Sequence, residues 1–332
     1  MVSNTSYTQD LSNSPIVFDF IDNSSQNTSL VSTKIESSYL DTVVSNNTSY
    51  TQDLSNLPMV VDSIDNSSQN TSLVSTKIES SLLEAVQSNN INLVKEILTI
   101  NPKDINSRDA QNRTALMLNT DDSLEIVKLL INHGAFINTK DYKGNTALMI
   151  ASEKGYTKLV ALLLTEYVQV NAKNNEGLSA LHLATINGYT EIVELLIKNR
   201  ADINDPMPNR LLPIFEAVTK GYTSIVKLYL DKGANVNSTI SSTRTSLLAI
   251  ASALGNSSTV QLLLEKGANP NLANKFGVTP IFLSISKKHL DITKLLITYH
   301  ADLNVQTTKG IQLEDIISPT DITMKRLIKN NS

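Results

Sequence analysis

At 332 residues, with 28 basic and 32 acidic side chains, the chain can bury a large core, and its formal net charge of −4 gives no bulk attraction to nucleic acid or anionic membranes. The absence of cysteine excludes disulfides, thiolate metal sites and cysteine nucleophiles. No early basic-then-apolar run resembles a secretory signal or a membrane-spanning helix, the first cation being Lys34, so a soluble, intracellular-type product is expected.

The first region repeats itself. Asn4–Asn46 returns as Asn47–Asn89, an offset of 43 residues with eight mismatches, which marks a tandem duplication. Both copies are rich in Ser, Thr, Asn and Gln, with one short apolar stretch each, Pro15–Ile21 and Pro58–Ile64. Such a composition cannot offset its own ordering entropy, so residues 1–78 are expected to be mostly disordered. Slippage of low-complexity DNA accounts for the copy without a function; the alternative is a pair of short linear motifs acting together.

Four of the mismatches, Tyr39, Asp41, Thr42 and Val44 against Leu82, Glu84, Ala85 and Gln87, replace weaker helix formers with stronger ones. From Ser81 the second copy therefore predicts two short helices around the polar turn Ser88–Asn90, with Leu82, Leu83, Val86, Leu93, Val94, Ile97 and Leu98 as the apolar set.

A different period then takes over. Asn106, Asn138, Asn171, Asn204, Asn237, Asn271 and Asn304 close successive units at gaps of 32, 33, 33, 33, 34 and 33 residues. A fixed period in this range predicts a solenoid in which each unit buries its apolar face against its neighbours. In the unit Asp141–Asn171, Thr146 starts a first helix whose hydroxyl can accept an orphan N–H, as do Ser179 and Thr279 in their units. Gly155, Gly188, Gly221 or Gly255 stops that helix. Thr157, Thr190 and Thr223 are expected to cap the second helix, and Gly134, Gly233 and Gly267 to end it. Tyr167, Arg200 and His300 occupy that ending position, where a left-handed backbone costs about 1 kcal/mol. The second unit is one residue short, its turn Asn119–Ser123 lacks glycine, and the last unit is a worn version suited to capping the stack.

Units such as GLSALHLATINGYTEIVELLIKNRADIN resemble the ankyrin repeat, with SALHLA at the family's Thr-Pro-Leu-His position. The resemblance implies an all-α solenoid of paired antiparallel helices with hairpin fingers, of about eight units over residues 79–330, the first and last atypical. It also implies a protein-binding scaffold rather than an enzyme.

Nothing in the sequence competes with that reading. His133, His182, His289 and His300 fall at different repeat positions with no metal-ligand spacing; His182 is expected to serve the turn network, and the others to be surface or cap residues. Ser224–Lys227 and Ser284–Lys287 match the spacing of serine-lysine hydrolases but lie in repeat helices without the companion motifs. No phosphate-cradling glycine run occurs. No cofactor, metal, membrane, nucleic acid or small-molecule substrate is expected.

Carried over from the family, the partner-binding positions are Arg113, Tyr142, Lys143, Asn145, Glu176, Leu178, Arg210, Lys275, Phe276 and Val278, which lie in the fingers; Asp141 and Gly144 hold the turn-forming positions. Tyr142 and Phe276 stand out because aromatics are enriched among interface anchors. The fingers carry nine basic residues, Arg108, Arg113, Lys140, Lys143, Lys173, Arg210, Arg244, Lys275 and Lys309, against the four acidic residues Asp109, Asp141, Glu176 and Asp205. That excess points to a partner with an acidic surface, the plainer alternative being soluble loop tips. The array further resembles ankyrin proteins of host-associated intracellular bacteria, so the expected location is the cytoplasm or, after export, a host cell. The competing function is an effector or enzyme whose catalytic element lies in the N-terminal region, with the array as its substrate adaptor.

Overall fold

The computed structural model of the chain describes residues 81–118 and 124–331. The disorder expected for residues 1–78 and the glycine-free turn at 119–123 lie outside the described residues. Those residues form helices in pairs: α1 (Leu82–Gln87) with α2 (Ile91–Ile100), α3 (Ala115–Leu118) with α4 (Leu124–Asn132), and α5 (Ala147–Lys154) with α6 (Thr157–Leu163). Next come α7 (Ala180–Ile186) with α8 (Thr190–Lys198), α9 (Pro213–Thr219) with α10 (Thr223–Asp231), and α11 (Leu247–Leu254) with α12 (Ser257–Glu265). The last pairs are α13 (Pro280–Ser286) with α14 (Leu290–Thr298), and α15 (Leu313–Ile316) with α16 (Ile322–Lys329). Among the described residues there are isolated β-bridges, such as Arg108 with Thr114, but no strand.

The second copy of the duplication becomes α1 because its substitutions suit that place. Glu84 completes a capping box: the Ser81 N–H donates to its carboxylate at 3.0 Å and the Glu84 N–H donates to the Ser81 hydroxyl at 3.2 Å. Leu82 and Ala85 are fully buried, where the first copy has the bulkier Tyr39 and the polar Thr42, and Gln87 is exposed where that copy has Val44.

First helices start as expected at Thr146 and Ser179, whose hydroxyls accept from the N–H groups of Met149 and His182. Thr279 does not follow: it occupies the cap position ahead of Pro280, but its buried hydroxyl meets no partner among the described residues.

Second helices differ from expectation. Tyr156, Tyr189 and Tyr222 hold the cap positions, and Thr157, Thr190 and Thr223 are the first helical residues. Each turn is closed by backbone, the Thr157 N–H donating to the Gly155 carbonyl at 2.9 Å, so the ring at the cap position is available for packing on the preceding unit. A Cβ on Gly155 would stand 2.8 Å from the Tyr189 ring, and one on Gly188 2.8 Å from the Tyr222 ring. Glycine is therefore required twice over, for its left-handed backbone at φ +78° and for the ring that covers it. His289 lies over Gly255 in the same way, so it is a stacking residue as well as a cap.

The closing asparagines join one unit to the next. Asn138 donates to the Tyr167 carbonyl at 2.9 Å and accepts from the Gln169 N–H at 2.8 Å; Asn106, Asn171 and Asn271 repeat both bonds with their own neighbours. Arg200 and His300 take the expected left-handed backbone at φ +68° and +62°. Tyr167 does not. There the helix ends early at Leu163, Leu164 stays right-handed, and the chain turns through Glu166, leaving Tyr167 fully exposed.

Candidate partner-binding face

Burial along the first helices leaves one face for solvent. Counting from the cap, residues one, two, three, five and six are buried in α5, α7, α9, α11 and α13; residues seven and eight reach water, and residue four is half-buried as Ile150, Glu216 and Ile250 but only 7% exposed as Leu183 and Leu283. Four, seven and eight share a helix face. First helices of successive units, such as α5 with α7 and α11 with α13, pack against one another, so these faces join into one strip running along the array beneath the fingers.

Each finger is a rigid turn. In the second finger, the Gly144 N–H donates to the Asp141 carbonyl at 3.0 Å and the Asn145 N–H to the Asp141 carboxylate at 2.8 Å, which bears out the turn-forming roles of both residues. Asn174 and Asn274 do the same in their fingers. Neighbouring fingers are knitted by backbone: the Asn175 N–H donates to the Lys143 carbonyl, and the Thr308 N–H to the Phe276 carbonyl, both at 2.9 Å.

The ten candidates fall into three groups. Tyr142, at 70% exposure, projects into solvent, as do Lys143, Glu176, Arg210 and Lys275; Leu178 and Phe276 are half-buried. Asn145 and Arg113 are committed internally. The Asn145 side-chain oxygen accepts from Asn174 of the next finger at 2.9 Å, and the Arg113 guanidinium pairs with Asp109 at 2.7 Å and also donates to Gln111. Burial opposes the charge of Asp109, but the hydrogen bonds from the Arg113 backbone and side chain and from the Gln111 amide outweigh it and hold the carboxyl below its usual range. Val278, 7% exposed, belongs to the core, whereas Leu178, at the same place before its cap, stays half-buried.

Arg210 differs in another way. It reads as a variable position in sequence, yet its backbone sits at φ +63° and its N–H closes the turn on the Met207 carbonyl at 2.8 Å, the place Gly144 holds in its finger. Arg244 repeats this in the next finger at φ +59°. Two adjacent fingers thus carry arginine where the backbone favours glycine, at about 1 kcal/mol each.

Much of the finger charge is already engaged. Lys173 pairs with Asp205 at 2.6 Å, Lys140 donates to the Lys173 carbonyl at 2.7 Å, and Arg108 donates to Asn112. Lys275 donates to the Ser242 carbonyl and lies 5.0 Å from the centre of the Phe276 ring. Arg210 and Arg244 are exposed and make no side-chain hydrogen bond or ion pair with the described residues.

Of the residues considered for catalysis, His182 and Ser284 serve structure, and Ser224 and Lys227 lie exposed on α10. His182 is completely buried; its Nδ1 accepts from the Ser179 N–H at 3.0 Å, so the proton sits on Nε2, which donates to the Asp205 carbonyl at 2.8 Å. Burial pulls its pKa below the usual histidine value. The Ser284 hydroxyl is buried and bonded to Ile281 and Thr293, out of reach of any substrate. No cluster among the described residues has the make-up of a metal site, and no described helix is long and apolar enough to cross a membrane.

Sequence reasoning missed Glu216, which occupies position four of α9. That register position is Leu118, Ile150, Leu183, Ile250 and Leu283 in other units, so aligning the chain on its own period would have exposed the exception. Burial raises the Glu216 carboxyl above its ordinary pKa, with Lys220 opposing. Burial also raises that of Glu153, at position seven of α5, against the attraction of Lys143.

Comparison with known proteins agrees with this architecture. The family profile described as ankyrin repeats, in three copies, matches residues 82–174, 167–240 and 214–307. The human ASB11 ankyrin repeat domain is 22% identical and superposes with a TM-score of 0.57 over 66% of this chain and 98% of its own. The ankyrin repeat domain of Bcl-3, described as a unique member of the IkappaB family, is 21% identical, with a TM-score of 0.55 over 75% of this chain and 98% of its own. No curated protein sequence matches. The 33-residue period, the capped helix pairs and the profile that covers most of the chain converge, and the chain belongs to the ankyrin-repeat family.

Proposed function

We propose that this chain, as an ankyrin-repeat protein-interaction module, is a non-enzymatic scaffold that holds a partner protein along the first-helix faces and the fingers, and that the partner presents an acidic surface to the fingers. The observation that carries the proposal is the pair Arg210 and Arg244: exposed cations held at a backbone conformation that costs stability and that glycine would adopt freely. Strain of this kind persists at positions kept for contact rather than for folding. Lys143 adds a third exposed cation, and Tyr142 supplies an aromatic surface with little conformational entropy to lose. A fixed positive edge raises the association rate of an acidic partner and suppresses others.

The test is capture by the full chain, followed by kinetics. A partner bound by this mechanism associates more slowly as salt rises, and more slowly still with Lys143, Arg210 and Arg244 reversed to glutamate. An association rate indifferent to both changes contradicts the acidic-partner reading, and equal capture by a variant carrying Tyr142→Ala and Ile250→Asp contradicts the choice of face.

A further inference from the structure

Position four of the first helices reads Leu118, Ile150, Leu183, Glu216, Ile250 and Leu283 along the stack. It is an aliphatic row with one carboxylate in its middle. The units on either side of Glu216 are apolar at position seven too, Ile186 before it and Ala253 after it, whereas its own unit has Thr219 there and Lys220 at position eight. At position four the break is confined to one unit, while position seven is polar also as Glu153 in α5 and Ser286 in α13.

The carboxylate is also unanswered. Glu216 is half-buried, and it forms no ion pair and no side-chain hydrogen bond with the described residues. Lys220, one turn further along α9, attracts it through space without reaching it. Burial raises the Tyr222 phenol above its ordinary pKa, and the Glu216 charge adds to the rise. Removing water from one side of a carboxylate costs free energy that only a cation or strong donors return. Glutamine or leucine at this position would avoid that cost; the first turn of α9 attracts a carboxylate through the helix dipole but supplies it no donor, so the fold answers the charge only in part.

We infer that Glu216 is the specificity-determining residue of the face: it receives a lysine or arginine from a partner segment whose flanking residues are aliphatic and lie on the half-buried Ile186 and Ile250. The inference rests on the proposal that the first-helix face binds protein. It adds that the occupant is an apolar segment with a single cation at its centre, whatever acidic groups the partner offers to the fingers further out. Charge complementarity carries the assignment: an aliphatic segment without a cation would bury Glu216 unpaired, and a segment bearing an acid there would add repulsion to desolvation.

A random peptide library displayed on phage and panned on the full chain tests this, with parallel panning on Glu216→Gln. Wild-type selections are expected to share one lysine or arginine between aliphatic residues, and selections on Glu216→Gln to lose it. A synthetic peptide of the consensus should bind the variant about ten- to a hundredfold more weakly, the range of a charge-assisted hydrogen bond. Replacing its lysine by norleucine should weaken binding to wild type but not to Glu216→Gln. Ile250→Asp, half-buried and checked for folding by circular dichroism, separates the two claims. Peptides that lose affinity on Ile250→Asp yet share no cation overturn the role of Glu216 and leave the face standing. Peptides indifferent to Ile250→Asp, or a library that yields no binder, overturn the face and the inference together.

Discussion

The side chain of Asn171 donates to the carbonyl of Arg200, 3.1 Å away in the following unit, while its oxygen accepts from the Asp202 N–H at 2.9 Å. One carboxamide thus pairs with two backbone groups across a unit boundary. The left-handed backbone of Arg200, at φ +68°, belongs to the turn that supplies the carbonyl. Of the asparagines whose period is visible in the sequence, Asn106, Asn138, Asn171 and Asn271 make this double link, and Asn237 makes its accepting half.

Asn171→Ala removes both bonds and should cost about 1–2 kcal/mol, two modest hydrogen bonds at a boundary that water can reach. Asn204 makes no such side-chain bond among the described residues, so Asn204→Ala is the matched control and should be nearly neutral. Denaturant unfolding of the two variants side by side reads the difference, and equal losses would assign the asparagines some other role.

Gly155→Ala should be far worse than Gly134→Ala. Both glycines have positive φ, +78° and +85°, but a Cβ on Gly155 would meet the Tyr189 ring at 2.8 Å and one on Gly134 would meet nothing within 4 Å. Backbone strain alone predicts about 1 kcal/mol for Gly134→Ala, and strain plus overpacking about 2–4 kcal/mol for Gly155→Ala. Adding Tyr189→Ala to Gly155→Ala should leave a coupling of opposite sign to the single losses, measurable as a double-mutant cycle.

Arg210→Gly should stabilise the array by about 1 kcal/mol, because it relieves the left-handed arginine at φ +63°. The same change should slow association with the partner. A variant that is more stable and binds faster would show that partner contact is not what keeps arginine at the finger tip.

Glu216→Gln should raise the thermal midpoint at neutral pH by a few degrees at most. The sign follows from linkage: burial raises the folded carboxyl's pKa above its unfolded value, so the ionised side chain is a penalty above the folded pKa and none below the unfolded one. The stabilisation should therefore be fully present above the folded pKa and fade on acidification towards the unfolded one. A stabilisation that persists at low pH would trace it to packing instead of charge.

The period, the helix pairs and the ends of α1 and α2 were legible in the sequence because each depends on local chemistry repeated at fixed spacing. What was not legible depends on the neighbouring unit. Thr190 and Thr223 look like caps until the rings of Tyr189 and Tyr222 are seen to use the preceding places for packing on Gly155 and Gly188. Val278 and Asn145 look like free finger residues, yet one is buried and the other is held by Asn174 of the next finger. Arg210 was hidden by substitution, since nothing in an arginine announces a left-handed backbone. Tyr167 escaped in the opposite direction, its helix ending a turn early so that the strain never arises.

Amide hydrogen exchange of the full chain, with and without the partner it captures, tests the choice of face most directly. A partner held along the first helices and fingers should add protection in the fingers at 205–211 and 238–245 and in the solvent-facing residues of α9, Pro213–Thr219, with little change in α10, Thr223–Asp231. Protection confined to the second helices, with the fingers unchanged, would put the partner on the other side of the array and contradict the assignment of this face.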